Sequence, residues 1–253
     1  MASIAPSPRL VALLRGRGAV LVLTGAGVSR ESGIATFRDG GGLWEGIDPM
    51  TVATPRAFAA DPELVWRFYD ERRARAAAAQ PNPAHHAIAA LEATRRPFLL
   101  ATQNVDGLHE RAGSRALVRL HGSLWRLRCT AEGTEHDDPT PRLAPLPPRC
   151  AACGAMLRPA VVWFEEPLPM AEFDRAERAA KAASLVLVVG TSSLVYPAAA
   201  LPLTALAAGA YVAEINPEPT PLTASVREHL PGEAGAVLPA LLAAAGIPMD
   251  RAA

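Results

Sequence analysis

The sequence predicts an α/β protein: a parallel sheet with helices on both faces, plus a smaller lobe made of a helical insert and a degenerate zinc-binding module. Two observations carry this. Four short apolar runs, rich in β-branched residues, each follow a helix-like stretch of Ala, Leu, Arg and Glu. Alternating helix and strand implies parallel strands packed on both sides. Two segments break the alternation: 41–84, entered through Gly40-Gly41-Gly42, and 123–158, which holds all three cysteines.

In chain order the strands are expected at Val20–Leu23, Phe98–Leu100, Leu185–Val189 and Tyr211–Ile215. They run into Thr24-Gly25, Ala101-Thr102-Gln103-Asn104, Gly190-Thr191-Ser192 and Asn216-Pro217-Glu218. Ligands of open parallel sheets bind beyond the carboxyl ends of the strands, so these polar tails mark a cleft. A large Rossmann-like lobe is expected over about 1–40, 85–122 and 159–253. The small lobe takes the helical insert 41–84, which ends in Gln80-Pro81-Asn82-Pro83, and the proline-rich 123–158. No internal repeat is visible.

The chain has 253 residues, 50% hydrophobic and 20% charged, the balance of a globular protein with one large domain or a large and a small one. Formal net charge is zero, which gives no electrostatic reason to expect nucleic acid or an anionic membrane as partner. Three cysteines and an N-terminus without a secretory pattern point to a reducing cytosol and a metal site, not a disulfide framework. A cytoplasmic monomer is expected. The stretch 182–213 carries no charge and has the length of a membrane span. Gly190 to Ser193, Pro197 and Pro202 break it, so a strand, a polar loop, a short helix and a second strand are expected instead.

The first strand opens VLVLTGAGVSRESGIATFRD, residues 20–39. Gly25-Ala26-Gly27 begins like a dinucleotide fingerprint, but Arg30 stands where the third glycine belongs. TQNVDGLHERAG, 102–113, places Gln103, Asn104 and Asp106 after a buried strand, where they suit ribose and carboxamide recognition. They equally suit capping of the helix that follows. RLHGSLWRLRC, 119–129, contains His121, the side chain type best able to take a hydroxyl proton near neutral pH.

Together these segments resemble the sirtuins, NAD-dependent protein-lysine deacylases. The matching strings are GAGVSRESGIATFR, TQNVDGLHERAG, HGSLWRLRC, VVWFEE (161–166), GTSSLVYPAA (190–199) and INPEPT (215–220), in family order across nearly the whole chain. The resemblance implies that amides around Gly25, Ala26 and Gly27 meet the pyrophosphate of NAD, and it counts Ser29 among the cofactor-binding residues. It implies Phe37 beside the nicotinamide and Arg38 on the ribose-phosphate portion. Asn104 and Asp106 would line the nicotinamide pocket, Gln103 the ribose, Gly190, Thr191 and Ser192 the phosphates. Asn216 and Glu218 would hold the adenosine ribose, and Ala234 would touch adenine. In the family reaction the acyl-lysine carbonyl oxygen attacks the nicotinamide ribose and nicotinamide leaves. His121 would then deprotonate a ribose hydroxyl, and O-acyl-ADP-ribose and free lysine result.

FYDERR, 68–73, lies in the helical insert, and Tyr69 and Arg72, three apart, share a helix face. On residue types alone this reads equally as a solvated polar face. The resemblance implies more: sirtuins that remove succinyl and malonyl groups carry Tyr-x-x-Arg here, with a small residue such as Ala53 upstream. Desuccinylation and demalonylation, with weaker deacetylation, are therefore expected. Val162, Trp163 and Phe164 would meet the acylated peptide as an added strand.

Two departures stand out. The family's small lobe holds zinc on two Cys-x-x-Cys pairs. Here Cys150 and Cys153 are intact, whereas Cys129 is followed by Glu132. Glu132 as fourth ligand, His136 or Asp137 in its place, and a lost site are the three readings. Glu165 stands where relatives carry glycine, and it would favour basic peptides, crowd the peptide, or face solvent harmlessly. The alternatives to a deacylase are a Rossmann oxidoreductase, a non-catalytic NAD or ADP-ribose sensor, and a mono-ADP-ribosyltransferase.

Overall fold

A computed structural model describes residues 6–35, 46–94 and 97–249. Strand β1, Val20–Thr24, lies inside a six-stranded sheet. The others are β2 (Phe98–Thr102), β3 (Leu117–Arg119), β7 (Leu185–Val189), β8 (Tyr211–Ile215) and β9 (Glu228–Leu230). The order is β3-β2-β1-β7-β8-β9 and every pairing is parallel. All four expected strands are present. The two short edge strands complete the sheet.

Strands β1 and β7 are buried along their whole length because both faces are covered. Val20 and Val22 face a cluster shared with α1 (Pro8–Arg15), α4 (Pro83–Thr94) and α8 (Ala234–Ala244). Leu21 and Leu23 face the opposite cluster, with α6 (Met170–Ala182) and α7 (Leu201–Ala207). The two-residue alternation of a strand sorts neighbouring apolar side chains into separate cores. The uncharged stretch resolves as β7, a loop, α7 and β8. No helix among the described residues is long and apolar enough to cross a membrane.

A third apolar cluster joins the two segments that break the alternation. It takes side chains from α2 (Pro55–Ala60) and α3 (Pro62–Ala78). It takes others from β4 (Gly122–Cys129) and β6 (Leu157–Val161), which pair in a three-stranded antiparallel sheet with β5 (Glu135–Asp137). Helix α3 starts cleanly because Asp61 accepts from the Leu64 N–H at 2.9 Å and Pro62 fits the first turn. Trp66, fully buried, ties α3 to β6 by donating from Nε1 to the Leu157 carbonyl at 2.8 Å.

Candidate active site

The strand order reverses between β1 and β7, the crevice where such sheets take ligands. The loops leaving these strands are locked together there. The Gly25 N–H donates to the Val189 carbonyl at 3.1 Å and the Gly27 N–H to the Gly190 carbonyl at 2.8 Å. A Cβ on Gly27 would lie 2.7 Å from the Gly190 oxygen, so only glycine permits this approach. The expectation that these amides serve a pyrophosphate needs refinement. Those of Gly25 and Gly27 hold the neighbouring loop, and of the three only the Ala26 amide is not taken up by this pairing.

A polar ladder crosses the carboxyl edge of the sheet. His121 Nδ1 lies 3.2 Å from the Gln103 carbonyl. Gln103 Nε2 donates to Thr191 Oγ1 at 3.1 Å, and Asn216 Nδ2 donates to the Thr191 carbonyl at 2.8 Å. A carbonyl only accepts, so His121 carries its proton on Nδ1 and presents a bare Nε2, the form a general base needs. Burial lowers the His121 pKa, against the Gln103 hydrogen bond, which raises it. Ser192 is half-buried and Glu218 exposed at the ends of the same two strands.

Beneath this ladder, Ser29 Oγ donates to Asp106 Oδ2 at 2.8 Å and accepts from Asn104 Nδ2 at 3.0 Å. His85 Nε2 approaches the same hydroxyl at 3.4 Å, while its Nδ1 accepts from the Asn82 N–H. Asp106 also caps helix α5 (Leu108–Arg111) by accepting from the Leu108 N–H at 2.9 Å. The helix-start reading of this residue is seen at Oδ1, while Oδ2 is held by Ser29. Burial raises the Asp106 pKa, opposed by the Leu108 N–H and the Ser29 hydroxyl.

Tyr69 and Arg72 come together on α3. The Arg72 guanidinium lies 5.9 Å from the centre of the Tyr69 ring. Trp163 Nε1 donates to the Tyr69 hydroxyl at 3.0 Å, and burial pushes the Tyr69 pKa up to about 12. That hydroxyl stays protonated and keeps its own hydrogen to give. Ala53 is buried, and its carbonyl accepts from the Phe164 N–H at 3.0 Å. The Val162 N–H donates to the His121 carbonyl at 2.9 Å, which fixes this segment beside the histidine. Trp163 itself is core, its ring 5.3 Å from that of Phe58; Phe164 is exposed. Phe37 and Arg38 lie outside the described residues.

Cys129, Glu132, Cys150 and Cys153 form a cluster whose ligand atoms all lie within 4.8 Å of one another. Two matching turns build it. The Gly133 N–H closes on the Cys129 carbonyl at 2.9 Å, and the Gly154 N–H on the Cys150 carbonyl at 2.8 Å. Both glycines are left-handed, with φ of 69° and 74°. Glu132 thus occupies in its turn the place Cys153 holds in the other. The sulfurs of Cys129 and Cys153 are 3.5 Å apart, close to the edge of about 3.8 Å of a tetrahedron with ~2.3 Å bonds. The residues fit zinc. His136 and Asp137 sit instead on β5, exposed and paired to β4.

Glu165 has φ of 72° and pairs with Arg56 at 3.2 Å. A left-handed conformation explains a glycine in relatives. Three residues escaped sequence reasoning: His85, Trp125 and Ser193. Ser193 has φ of 56° and a buried hydroxyl without a partner, beside Thr191 at the crevice. An orphaned hydroxyl among Thr191, Ser192 and Asn216 is a donor set suited to sugar and phosphate oxygens. The doubled serine of GTSS was its one visible signal.

The model of the Sir2 family matches residues 25–197. A protein named NAD-dependent protein deacylase from Thermus thermophilus is 52% identical over 92% of this chain and 92% of its own. One of the same name from Ralstonia nicotianae is 54% identical over 88% of this chain and 91% of its own. Among solved structures, a Sir2 homolog–NAD complex superimposes with a TM-score of 0.90 at 44% identity, covering 97% of this chain and 96% of that one. A Sir2 complex with a deacetylated p53 peptide and 3′-O-acetyl ADP-ribose superimposes at 0.82 with 28% identity, covering 95% of this chain and 98% of that one. With a sheet whose switch-point crevice carries His121, Asn104 and Asp106, the chain belongs to the Sir2 family.

Proposed function

We propose that the chain is an NAD-dependent protein-lysine deacylase that removes succinyl and malonyl groups in preference to acetyl. The observation carrying the acyl preference is the Tyr69–Arg72 pair. Trp163 fills the acceptor side of the Tyr69 hydroxyl, which leaves its hydrogen for an acyl carboxylate, with the Arg72 guanidinium over the same ring. Bound NAD supplies an electrophilic sugar carbon with nicotinamide as leaving group.

The residues then divide the labour. Ser29, Asn104 and Asp106 receive the nicotinamide, and Gln103 orients the adjoining ribose. His121, its Nε2 bare, takes a proton from a ribose hydroxyl. Gly190, Thr191 and Ser192 face the phosphates, and Asn216 and Glu218 the adenosine ribose. Ala234, buried at the head of α8, abuts adenine. The family resemblance gives Phe37 to the nicotinamide and Arg38 to the ribose-phosphate portion. Val162 and Phe164 flank the acylated peptide, and Ala53 leaves room for the longer acyl chain. Cys129, Glu132, Cys150 and Cys153 hold a structural zinc in the smaller of two lobes, built from 41–84 and 123–158. Three cysteines without a disulfide support a cytoplasmic protein, and zero formal charge gives no electrostatic pull toward nucleic acid or an anionic membrane; acylated proteins as substrates and a monomeric state belong to the same proposal.

Matched acetyl-, malonyl- and succinyl-lysine peptides, incubated with NAD and followed by nicotinamide release, test this reading. Faster release with the acidic acyl peptides is expected, and with His121→Ala no release beyond a single turnover and no free lysine, because the histidine acts after nicotinamide has left. Formation of NADH, or label from NAD retained on protein, overturns it in favour of an oxidoreductase or an ADP-ribosyltransferase.

A further inference from the structure

The turn that carries Asp106 is held from behind by an indole. Trp125 Nε1 donates to the Asp106 carbonyl at 2.6 Å, and the Leu124 N–H donates to the Val105 carbonyl at 2.9 Å. Gly107, with φ of 81°, lies flat against that indole: a Cβ there would be 2.7 Å from Trp125 Nε1. Trp125 meets the turn because β4 is irregular here. Its register with β6 shifts between Gly122 and Leu127, and the Ser123 hydroxyl accepts from the Trp125 N–H at 3.1 Å. Such bulges re-aim side chains beside functional sites.

Trp125 is gripped in turn by the small lobe. The Arg73 guanidinium, fully buried on α3, lies 5.3 Å over the indole. It donates to the Leu124 carbonyl, to the Asp138 carbonyl at 2.9 Å and to the Asp138 carboxylate at 2.8 Å. The Asp138 N–H closes back on the Trp125 carbonyl at 2.9 Å. A buried arginine holding carbonyls from two segments is a rigid joint, because its planar fork fixes direction as well as charge.

We propose that Trp125 is a positioning residue for Asp106, and that through it the Arg73 joint of the small lobe sets the geometry of the nicotinamide-binding turn. The proposal rests on the reading of Asn104 and Asp106 as nicotinamide contacts. It makes the small lobe a determinant of nicotinamide affinity, separate from any part it has in binding peptide.

Trp125→Phe tests this, since it keeps an aromatic face for Arg73 while removing the Nε1 donor and the five-membered ring that carries it. At least a fivefold weaker inhibition by nicotinamide and a raised KM for NAD are expected, with the KM for acyl-peptide unchanged within twofold. Amide exchange at 104–108 should quicken in the same variant, a readout that needs no turnover. Arg126→Gln, one position along β4 and ion-paired with Glu135 and Asp137 of β5, should change none of these. Unaltered nicotinamide inhibition and unaltered exchange in the folded Trp125→Phe protein overturn the proposal. So does an equal rise in both KM values. If the wild type releases no nicotinamide from any acyl peptide while exchange at 104–108 still quickens, the deacylase reading falls and the positioning role stands.

Discussion

Ser29 and Asp106, 77 residues apart in the chain, meet at 2.8 Å in the floor of the crevice. Neither partner could be replaced by water cheaply, since both are buried. Ser29 also receives the Asn104 amide, so one hydroxyl fixes two of the side chains read as nicotinamide contacts.

Ser29→Ala should therefore cost more in catalysis than in folding. It leaves the Asn104 amide without its acceptor and takes from Asp106 the hydroxyl that bonds its Oδ2. We expect kcat/KM for NAD to fall roughly 10- to 100-fold, as for loss of a hydrogen bond to a buried charged group. Steady-state kinetics with a fixed acyl peptide measures this, and an unchanged value would remove Ser29 from the site.

Arg72→Met should separate the acyl substrates. A dicarboxylic acyl group loses its cation, whereas an acetyl group loses nothing. Desuccinylation should drop at least ~10-fold relative to deacetylation. Equal loss on both peptides counts against the acyl preference.

Glu165→Gly should stabilise the protein. A left-handed backbone costs a non-glycine residue about 1–2 kcal/mol, and the exposed pair with Arg56 returns little of it. Glycine's own flexibility offsets part of the gain, leaving about 0.5–1 kcal/mol. A thermal melt should move upward by about 1–4 °C. A drop of that size would show that the Glu165 side chain makes a contact of more consequence than its strain.

Acid should weaken the fold through His85. Burial holds its pKa down to about 4, against 6.5 when exposed, so between those values the unfolded chain takes up a proton that the folded chain refuses. Stability conferred by the neutral ring is complete above pH 6.5 and is lost as pH falls toward 4, by about 3 kcal/mol. His109, its ring tilted against that of His85 with centres 4.8 Å apart and its pKa lowered further by burial, acts in the same direction. His85→Gln keeps an acceptor and a donor without the titration. Denaturant melts across that window should show a shallower fall for the variant.

Apolar runs make the four principal strands legible, because burial on both faces demands hydrophobicity along most of each strand, with buried Glu214 in β8 an exception. The edge strands β3 and β9, three residues each, are too short to carry such a pattern. His121, Gln103, Thr191 and Asn216 could be named from the tails of those strands, yet the ladder joining them depends on strand order, which local sequence does not encode. The glycines at 25 and 27 are visible in the sequence, but their task is not. A glycine shows that something comes close, without saying whether it is a ligand or another loop. Trp125 was hidden for a related reason: a bulge that turns one side chain leaves no mark on periodicity. At 165 the sequence shows an unusual residue, and only the backbone angle explains why the position matters.

Strand β1 has consequences for how the chain is made. It pairs on one side with β2, at residues 98–102, and on the other with β7, whose residues 185–189 leave the ribosome later still. Until then β1 is the bare rim of a half-built sheet, a row of unpaired amides on a strongly apolar segment. Newly synthesised chains stalled or truncated before residue 185 would expose that rim, and would be clients for chaperones or seeds for aggregates.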